Sequence, residues 1–432
     1  MGGGRGLLQA GGVKMGTHSN VGRLALGGSV ALGLGLLGCG GGGGAPYLFN
    51  NYPTSYVAAV AIADLNGDGY ADLVCSVQDS GGPSFVSALL QRSAQRGTFQ
   101  APVRSSAGAY PGSLAVASLG AGANPSVAVV NRQVTPVLDP ANTVSVLLPN
   151  AAQPGGFLAP VALPVGAGNP VAVAMGDLDH DGGQDLVVAT DGANSVLVFF
   201  HGPQAGTFQE PVALAVGGVP TAVAVGDILG TGYPAIVATT SGNTVSVLLP
   251  VSPATTPATF HPYADYPVGS NPVAVQLADL DGDGRPDLVV ANGGSDLAPT
   301  SQGLSVLLQT PAPAATGTFL PAVTYHTGDY GAASVAVAAL AGSGLPDIAV
   351  ANYGLPGTPG SVSVFLHDPN VPGTFQAPAV YPGIVGPVSV ALGDLDGDGL
   401  PDLAIADGSQ VVVRFQVAAQ PGTFGAPVAY LP

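Results

Sequence analysis

Seven times along the chain a nine-residue loop recurs between two apolar runs. Its copies begin at residues 64, 118, 177, 227, 279, 339 and 394. A self-similar period of this length means that each unit is one supersecondary element stacked on its neighbours, and it overrides any domain count drawn from length. Four copies are acidic: Asp64–Asp72 (Asp-Leu-Asn-Gly-Asp-Gly-Tyr-Ala-Asp), Asp177–Asp185, Asp279–Asp287 and Asp394–Asp402. Three are reduced. Ser118–Ser126 has no acid, Asp227–Ala235 keeps one, and Ala339–Asp347 keeps only Asp347.

One unit reads Pro170-Val-Ala-Val-Ala-Met-Gly, the loop, Asp185-Leu-Val-Val-Ala-Thr, a turn, Ser195-Val-Leu-Val-Phe-Phe, and a segment opening on Gly206-Thr-Phe. These are four short strands separated by turn signals, and no stretch keeps a helical period. Small residues in the first strand suit sheets that converge on an axis. The expected fold is therefore all-β: a seven-bladed β-propeller of four-stranded antiparallel blades, with calcium loops between strands 1 and 2. Gly-Thr-Phe segments, with Gly-Gly-Phe and Ala-Thr-Phe as variants at Phe157 and Phe260, recur near Phe99, Phe157, Phe208, Phe260, Phe319, Phe375 and Phe424 and mark seven outer strands. Ala45–Tyr52 also looks like an outer strand and competes with Phe424–Tyr430 for the last slot. A transmembrane β-barrel would need strands of about 9–11 residues and aromatic girdles. These runs are shorter, and the chain has no Trp.

Charge is scarce and clustered. Only 8% of residues are charged, with 9 basic against 26 acidic. Arg5, Lys14 and Arg23 precede Cys39, and no Lys follows it, so a basic surface for nucleic acid is excluded. The four intact loops hold 15 of the 26 acids.

That clustering has a chemical reading. Two carboxylates about 5 Å apart repel by roughly 3 kcal/mol at an effective dielectric of about 20. Three or four in nine residues call for a cation. Oxygens from loop positions 1, 3, 5 and 9, a backbone carbonyl at 7 and a Gly at 6 for the sharp turn follow the logic of calcium loops. The metal residues expected are Asp64, Asn66, Asp68, Tyr70 and Asp72; Asp177, Asp179, Asp181, Gly183 and Asp185; Asp279, Asp281, Asp283, Arg285 and Asp287; and Asp394, Asp396, Asp398, Leu400 and Asp402. About four Ca²⁺ ions are expected, one per intact loop. The ligand set has no imidazole or thiolate, which disfavours zinc and copper. Flanking strands, and Cys75, Val188, Val290 and Ile405 at position 12, exclude an EF-hand. His180 stands at position 4, where a side chain is expected to point to solvent.

The apolar strand, the Asp-x-Asp-x-Asp-Gly-x-x-Asp loop and the Leu-Val-Val-Ala strand together resemble the FG-GAP/VCBS repeats of integrin α-subunit propellers and their bacterial relatives. The resemblance covers residues 47–432. It implies that the ions sit on blade hairpins and are structural, and that the three reduced loops bind none.

The first 46 residues read as an address. Arg23 precedes the apolar stretch Leu24–Leu37, which is too short to span a bilayer comfortably. Leu36-Leu37-Gly38-Cys39 resembles the lipobox of bacterial lipoproteins, in which the Cys carries lipid. Residues 1–38 are then a signal peptide (Met15 is an alternative start), 39–46 a Gly-rich tether, and the protein is anchored in the bacterial envelope outside the cytoplasm. Cys75 lies in an apolar run and is expected as a buried free thiol.

No catalytic motif stands out: there is no Gly-x-Ser-x-Gly elbow, P-loop or His-Glu-x-x-His. The expectation is a non-enzymatic, monomeric binding, adhesion or assembly propeller with a protein or glycan ligand. The alternatives are a polysaccharide lyase or a lectin on the same scaffold. Successive loops of a four-stranded meander alternate between faces. The 2–3 and 4–1 loops therefore share the face opposite the acidic loops, and they vary most in length. Tyr110, Arg132, Tyr330 and Tyr353 are the ligand-face candidates.

Overall fold

The computed structural model describes residues 55–432 except 80–82, 121–123, 133–141, 167, 252–257, 295–302, 312–316, 343 and 356. Cys39, the signal and the Ala45–Tyr52 segment lie outside the described residues. Seven four-stranded antiparallel sheets follow one another along the chain, each a simple meander. Blade 1 runs from β1 (Ser55–Ala63) to β4 (Val103–Ser106). Blade 3, representative of the rest, has β9 (Pro170–Gly176), β10 (Asp185–Thr190), β11 (Ser195–Phe199) and β12 (Val212–Ala215). Blade 7 runs from β25 (Ser389–Gly393) to β28 (Val428–Tyr430). Each innermost strand packs on that of the next blade, and β25 packs back on β1 to close the ring.

Burial explains this layering. All of β10 is buried, so its Leu-Val-Val-Ala run presents apolar side chains to the sheets on both sides. Val173, Met175, Leu186 and Val188 of blade 3 share one cluster with Ala115, Ala128, Val144 and Val146 of blade 2. Facing sheets fill the wedge between blades in this way. Four inner strands begin with Pro: Pro111, Pro170, Pro220 and Pro272. Each sits at a register shift against strand 2, where a missing N–H leaves no ladder bond unmade. The outer strands are mostly exposed.

The Gly-Thr-Phe segments are displaced from their expected place. Each Phe pairs back with the residue just after strand 3, as in Gln91↔Phe99 and His201↔Phe208, and the outer strand begins a few residues later. The Phe serves packing between blades. Tyr266, Tyr325 and Tyr381 on outer strands meet Phe319, Phe375 and Phe424 of the next blade edge to face, at centroid distances of 5.3, 5.7 and 5.7 Å.

Ring closure uses the same clasp. β28 fills the outer slot of blade 7, paired with Val411–Val413. Tyr430 meets Phe99 of blade 1 at 5.0 Å, and its hydroxyl donates to the Gly97 carbonyl at 2.9 Å. At the axis, the Val57 N–H donates to the Gly408 carbonyl at 3.0 Å. Tyr430→Ala removes an aromatic pair, a hydrogen bond and buried surface at this one seam. It should lower unfolding stability by about 2–3 kcal/mol in chemical denaturation. Tyr110→Ala, on an exposed side chain, should change it by less than about 0.5 kcal/mol. Equal effects would show that the seam does not depend on the clasp.

Candidate metal centres

Each acidic loop folds around its own carboxylates. Asp64 at position 1 accepts N–H bonds from Gly67 (2.7 Å), Asp68 (3.2 Å) and Gly69 (2.8 Å). Asp279 and Asp394 repeat the pattern with Gly282, Asp283 and Gly284, and with Gly397, Asp398 and Gly399. Position 3 accepts from the position-5 N–H, and position 5 from the position-7 N–H of Tyr70, Gly183, Arg285 or Leu400. Turning the chain this tightly needs positive φ at position 6, where Gly69, Gly182, Gly284 and Gly399 lie at 85–88°.

Position 9 is tied into the fold. Asp72, Asp185, Asp287 and Asp402 are fully buried at the start of strand 2. One oxygen of each accepts the N–H of loop position 2: Leu65 (3.0 Å), Leu178, Leu280 and Leu395 (2.8 Å each). The other accepts the N–H of the residue just after strand 3: Gln91, His201, Gln309 (2.7 Å each) and Gln416 (2.8 Å). This bond also shows that the 1–2 and 3–4 loops share a face. Asp347 makes the same two bonds in a reduced loop, to Leu340 (2.7 Å) and His367 (2.9 Å), and the His367 Nδ1 lies 2.9 Å from it. The carboxylate at position 9 is thus a bracket in its own right, in addition to any ligand role.

The two remaining blades support this. Their position-9 residues are Ser126 and Ala235, and the residues after strand 3 are Pro149 and Pro250. Pro has no N–H to give, and there is no carboxylate to receive one. The signal was present in the sequence as a pairing of positions within each repeat.

Three loops gather carboxylates closely enough for one ion. In Asp177/Asp179/Asp185, Asp279/Asp281/Asp287 and Asp394/Asp396/Asp402, ligand oxygens lie within 4.8 Å of one another. In the first loop Asn66 takes position 3, and its amide donates to Asp68 at 3.1 Å. The position-5 acids Asp181, Asp283 and Asp398 stand outside these triads. Asp283 is bound by the Arg285 guanidinium, whose hydrogen bond holds its pKa below the usual carboxylate value.

The site fits a hard cation. Asp177 Oδ1 is buried without a hydrogen-bond donor. The donor set is oxygen only. Burial, first, then neighbouring carboxylates raise the pKa of Asp179, Asp281 and Asp396. Desolvation pushes Asp72, Asp185, Asp287 and Asp402 up to about 7, against the lowering effect of their backbone bonds.

His180 is exposed, as position 4 predicts, but its ring is engaged by the next blade. It adopts a φ of 58°, its Nε2 contacts the Gly232 carbonyl, and its ring meets Tyr233 at 4.4 Å. It therefore joins the acidic loop of blade 3 to the reduced loop of blade 4. That reduced loop keeps its turn through Asp227, which accepts from Thr231 (3.1 Å) and Gly232 (2.6 Å). Cys75 is a buried free thiol, as expected.

The opposite face carries the other candidates, in two separate pairs. On blade 2 the Arg132 N–H donates to the Tyr110 carbonyl at 3.4 Å, and the Arg132 guanidinium pairs with Asp191 of blade 3 at 3.4 Å. On blade 6, Tyr353 and Gly354 donate to the Gly331 and Tyr330 carbonyls. Tyr110 and Tyr353 are exposed; Arg132 and Tyr330 are half-buried. Parts of the long 2–3 loops lie outside the described residues.

Residues 56–89 and 271–308 match the FG-GAP repeat, and 177–238 and 340–405 match the FG-GAP-like repeat. The chain is an FG-GAP repeat propeller. No curated protein matches it. Among solved structures, it is similar to a putative 6-phosphogluconolactonase from Bacteroides uniformis (12% identity, 87% of this chain and 97% of that one, TM-score 0.55). It is also similar to the periplasmic gluconolactonase of Pseudomonas aeruginosa (19% identity, 76% and 85%, TM-score 0.52). The rhamnogalacturonan lyase YesW superposes with a TM-score of 0.47 at 13% identity over 81% and 70%.

These similarities correct the expectation of a non-enzymatic chain. Propellers of this shape include lactonase-type proteins, so the fold gives no ground for setting this FG-GAP propeller apart from enzymes. At such identities the likeness shows the fold alone and assigns no reaction.

The buried position-9 carboxylates make the metal-free propeller sensitive to pH. Their folded pKa of about 7 lies above the unfolded carboxylate value. Their contribution is therefore fully present below about pH 4 and is lost as pH rises through about 7. In excess chelator, the melting temperature should fall between about pH 5 and about pH 8. A flat or rising profile would contradict this assignment.

Proposed function

We infer that this FG-GAP propeller is a calcium-stabilised scaffold, held outside the cytoplasm by a lipid on Cys39, that presents a ligand site on the face opposite its acidic loops. The observation that carries the calcium reading is the Asp177/Asp179/Asp185 cluster, whose oxygens lie within 4.8 Å while Asp177 Oδ1 lacks a donor. Asp279, Asp281, Asp287 and Asp394, Asp396, Asp402 would hold ions in the same way, and Asp64, Asn66 and Asp72 would supply a fourth, less charged site. Bound calcium would neutralise acids that burial otherwise holds toward protonation. The ion's place is structural, since these loops join strands within blades.

The anchor rests on Leu36-Leu37-Gly38-Cys39 behind a short apolar core. Among the described residues no helix is long and apolar enough to cross a membrane. The ligand-face reading rests on the exposed Tyr110 and Tyr353 beside Arg132 and Tyr330, on loops held by a rigid ring. The ligand is a protein or glycan.

Extracellular calcium modules bind at about 10⁻⁴–10⁻³ M, and a site at tenfold saturation adds about 1.4 kcal/mol. Chelation at neutral pH should therefore lower the melting temperature, and Asp281→Ala should do so more than Ser343→Ala. A melting curve indifferent to chelator would contradict structural calcium. For the anchor, the protein should label with radioactive palmitate and partition into detergent, and Cys39→Ala should abolish both. Equal labelling of wild type and variant would end the lipoprotein reading.

A further inference from the structure

The first acidic loop differs from its counterparts at one chemical point. Position 3 is Asn66, followed by Gly67, where the loops at 279 and 394 read Asp281-Gly282 and Asp396-Gly397. An Asn followed by Gly is the pair most open to intramolecular imide formation, because no side chain shields the following nitrogen. We propose that Asn66–Gly67 is a deamidation site that the loop's cation holds closed. This rests on the calcium reading above.

The reaction needs only water. A base removes the Gly67 amide proton, and that nitrogen bonds to Asn66 Cγ. The Cγ–Nδ2 bond breaks, ammonia leaves, and a five-membered imide remains. Water then opens the imide at either carbonyl. Opening at Cγ gives Asp, and opening at the backbone carbonyl gives isoaspartate. The sum is an amide plus water going to a carboxylic acid plus ammonia, with no change in oxidation state. The first product turns Asp64-Leu-Asn-Gly-Asp-Gly into the Asp-Leu-Asp-Gly-Asp-Gly of the loops at 279 and 394. The second adds a backbone methylene and breaks the loop's register.

The native loop restrains both reacting groups. The Gly67 N–H is bonded to Asp64 Oδ1 at 2.7 Å. The Asn66 amide is pinned at both ends, its oxygen by the Asp68 N–H at 2.9 Å and its nitrogen by Asp68 Oδ2 at 3.1 Å. The Gly67 bond ends on the Asp64 carboxylate and that of the Asn66 nitrogen on the Asp68 carboxylate, and a cation between these two acids is what lets both stay ionised and close together. Without it, the loop opens and Gly67, which is exposed, can turn onto Cγ. The chain carries its own control. Asn292–Gly293 is the same pair, but Asn292 is fully buried, donates to Ser305 Oγ at 2.9 Å and lies outside any acidic loop. The Gly293 N–H is held by the Asn271 carbonyl at 2.8 Å.

The test incubates the full chain at mildly alkaline pH with calcium chloride or with chelator, below its melting temperature, and maps both peptides by mass spectrometry. The Asn66 peptide should gain the mass of NH₂→OH several-fold faster in chelator than in calcium. The Asn292 peptide should stay unchanged in both, and Asn66→Gln should abolish the gain. Melting curves of the same samples separate the two claims. If calcium raises the melting temperature but Asn66 converts equally fast in both, or not at all in chelator, the proposal is wrong and the calcium reading stands. If calcium leaves both the melting temperature and the rate unchanged, both are wrong.

Discussion

A buried carboxylate at the start of strand 2 is the constraint on which the repeat depends. In five blades the position-9 Asp ties the acidic or reduced loop to the chain leaving strand 3, through two backbone N–H bonds. It thereby fixes three strands of a blade to one another at one end. Burying a carboxylate is costly unless its charge is met. Hydrogen bonds meet part of that demand, and the cluster of further acids around four of the five brackets invites a cation to meet the rest. The bracket at Asp347 has no such cluster and has the His367 ring beside it instead. Structural support and a candidate metal ligand therefore fall on the same residue.

The ring follows from repetition of this unit. The brackets with acid clusters fall in blades 1, 3, 5 and 7, so reduced loops alternate with them until the seam, where blades 7 and 1 place two acidic loops side by side. At the seam Arg96 of blade 1 donates to the Gly397 carbonyl at 2.7 Å, and Gln91 reaches the Leu395 carbonyl. Elsewhere a reduced loop leans on its acidic neighbour, as Tyr233 does on His180 and as Leu345 does on Gly282. The acidic-loop face is thus also a belt of contacts between blades, and the opposite face is left to longer loops.

Much of this was legible in the sequence. The strands of blade 3 fall where the Pro170, Asp185 and Ser195 runs put them, because apolar runs bounded by Gly and Asn have few other ways to pair. The clustering of acids in these loops was legible because the turn itself brings positions 1, 3 and 9 together. What escaped was long-range. The Gly-Thr-Phe segments pack against Tyr residues one blade away, a contact that no local pattern encodes. His180 tolerates a left-handed backbone because Gly232 and Tyr233 of another blade receive its ring. The reach of the position-9 Asp to Gln91 was written in the sequence, but only as the exchange of Gln or His for Pro149 and Pro250 wherever the Asp is missing. The enzymatic question was not legible either, because lactonase-type propellers share this shape at low identity.

The central claim is that a buried carboxylate bracket and a cation work together in the acidic loops alone. Counting bound calcium by equilibrium dialysis tests it most directly. About four ions should bind each wild-type chain, one per acidic loop, and Asp281→Ala should lose one of them while Asp347→Asn loses none. Binding of no calcium, or loss of an ion in Asp347→Asn, would contradict the account.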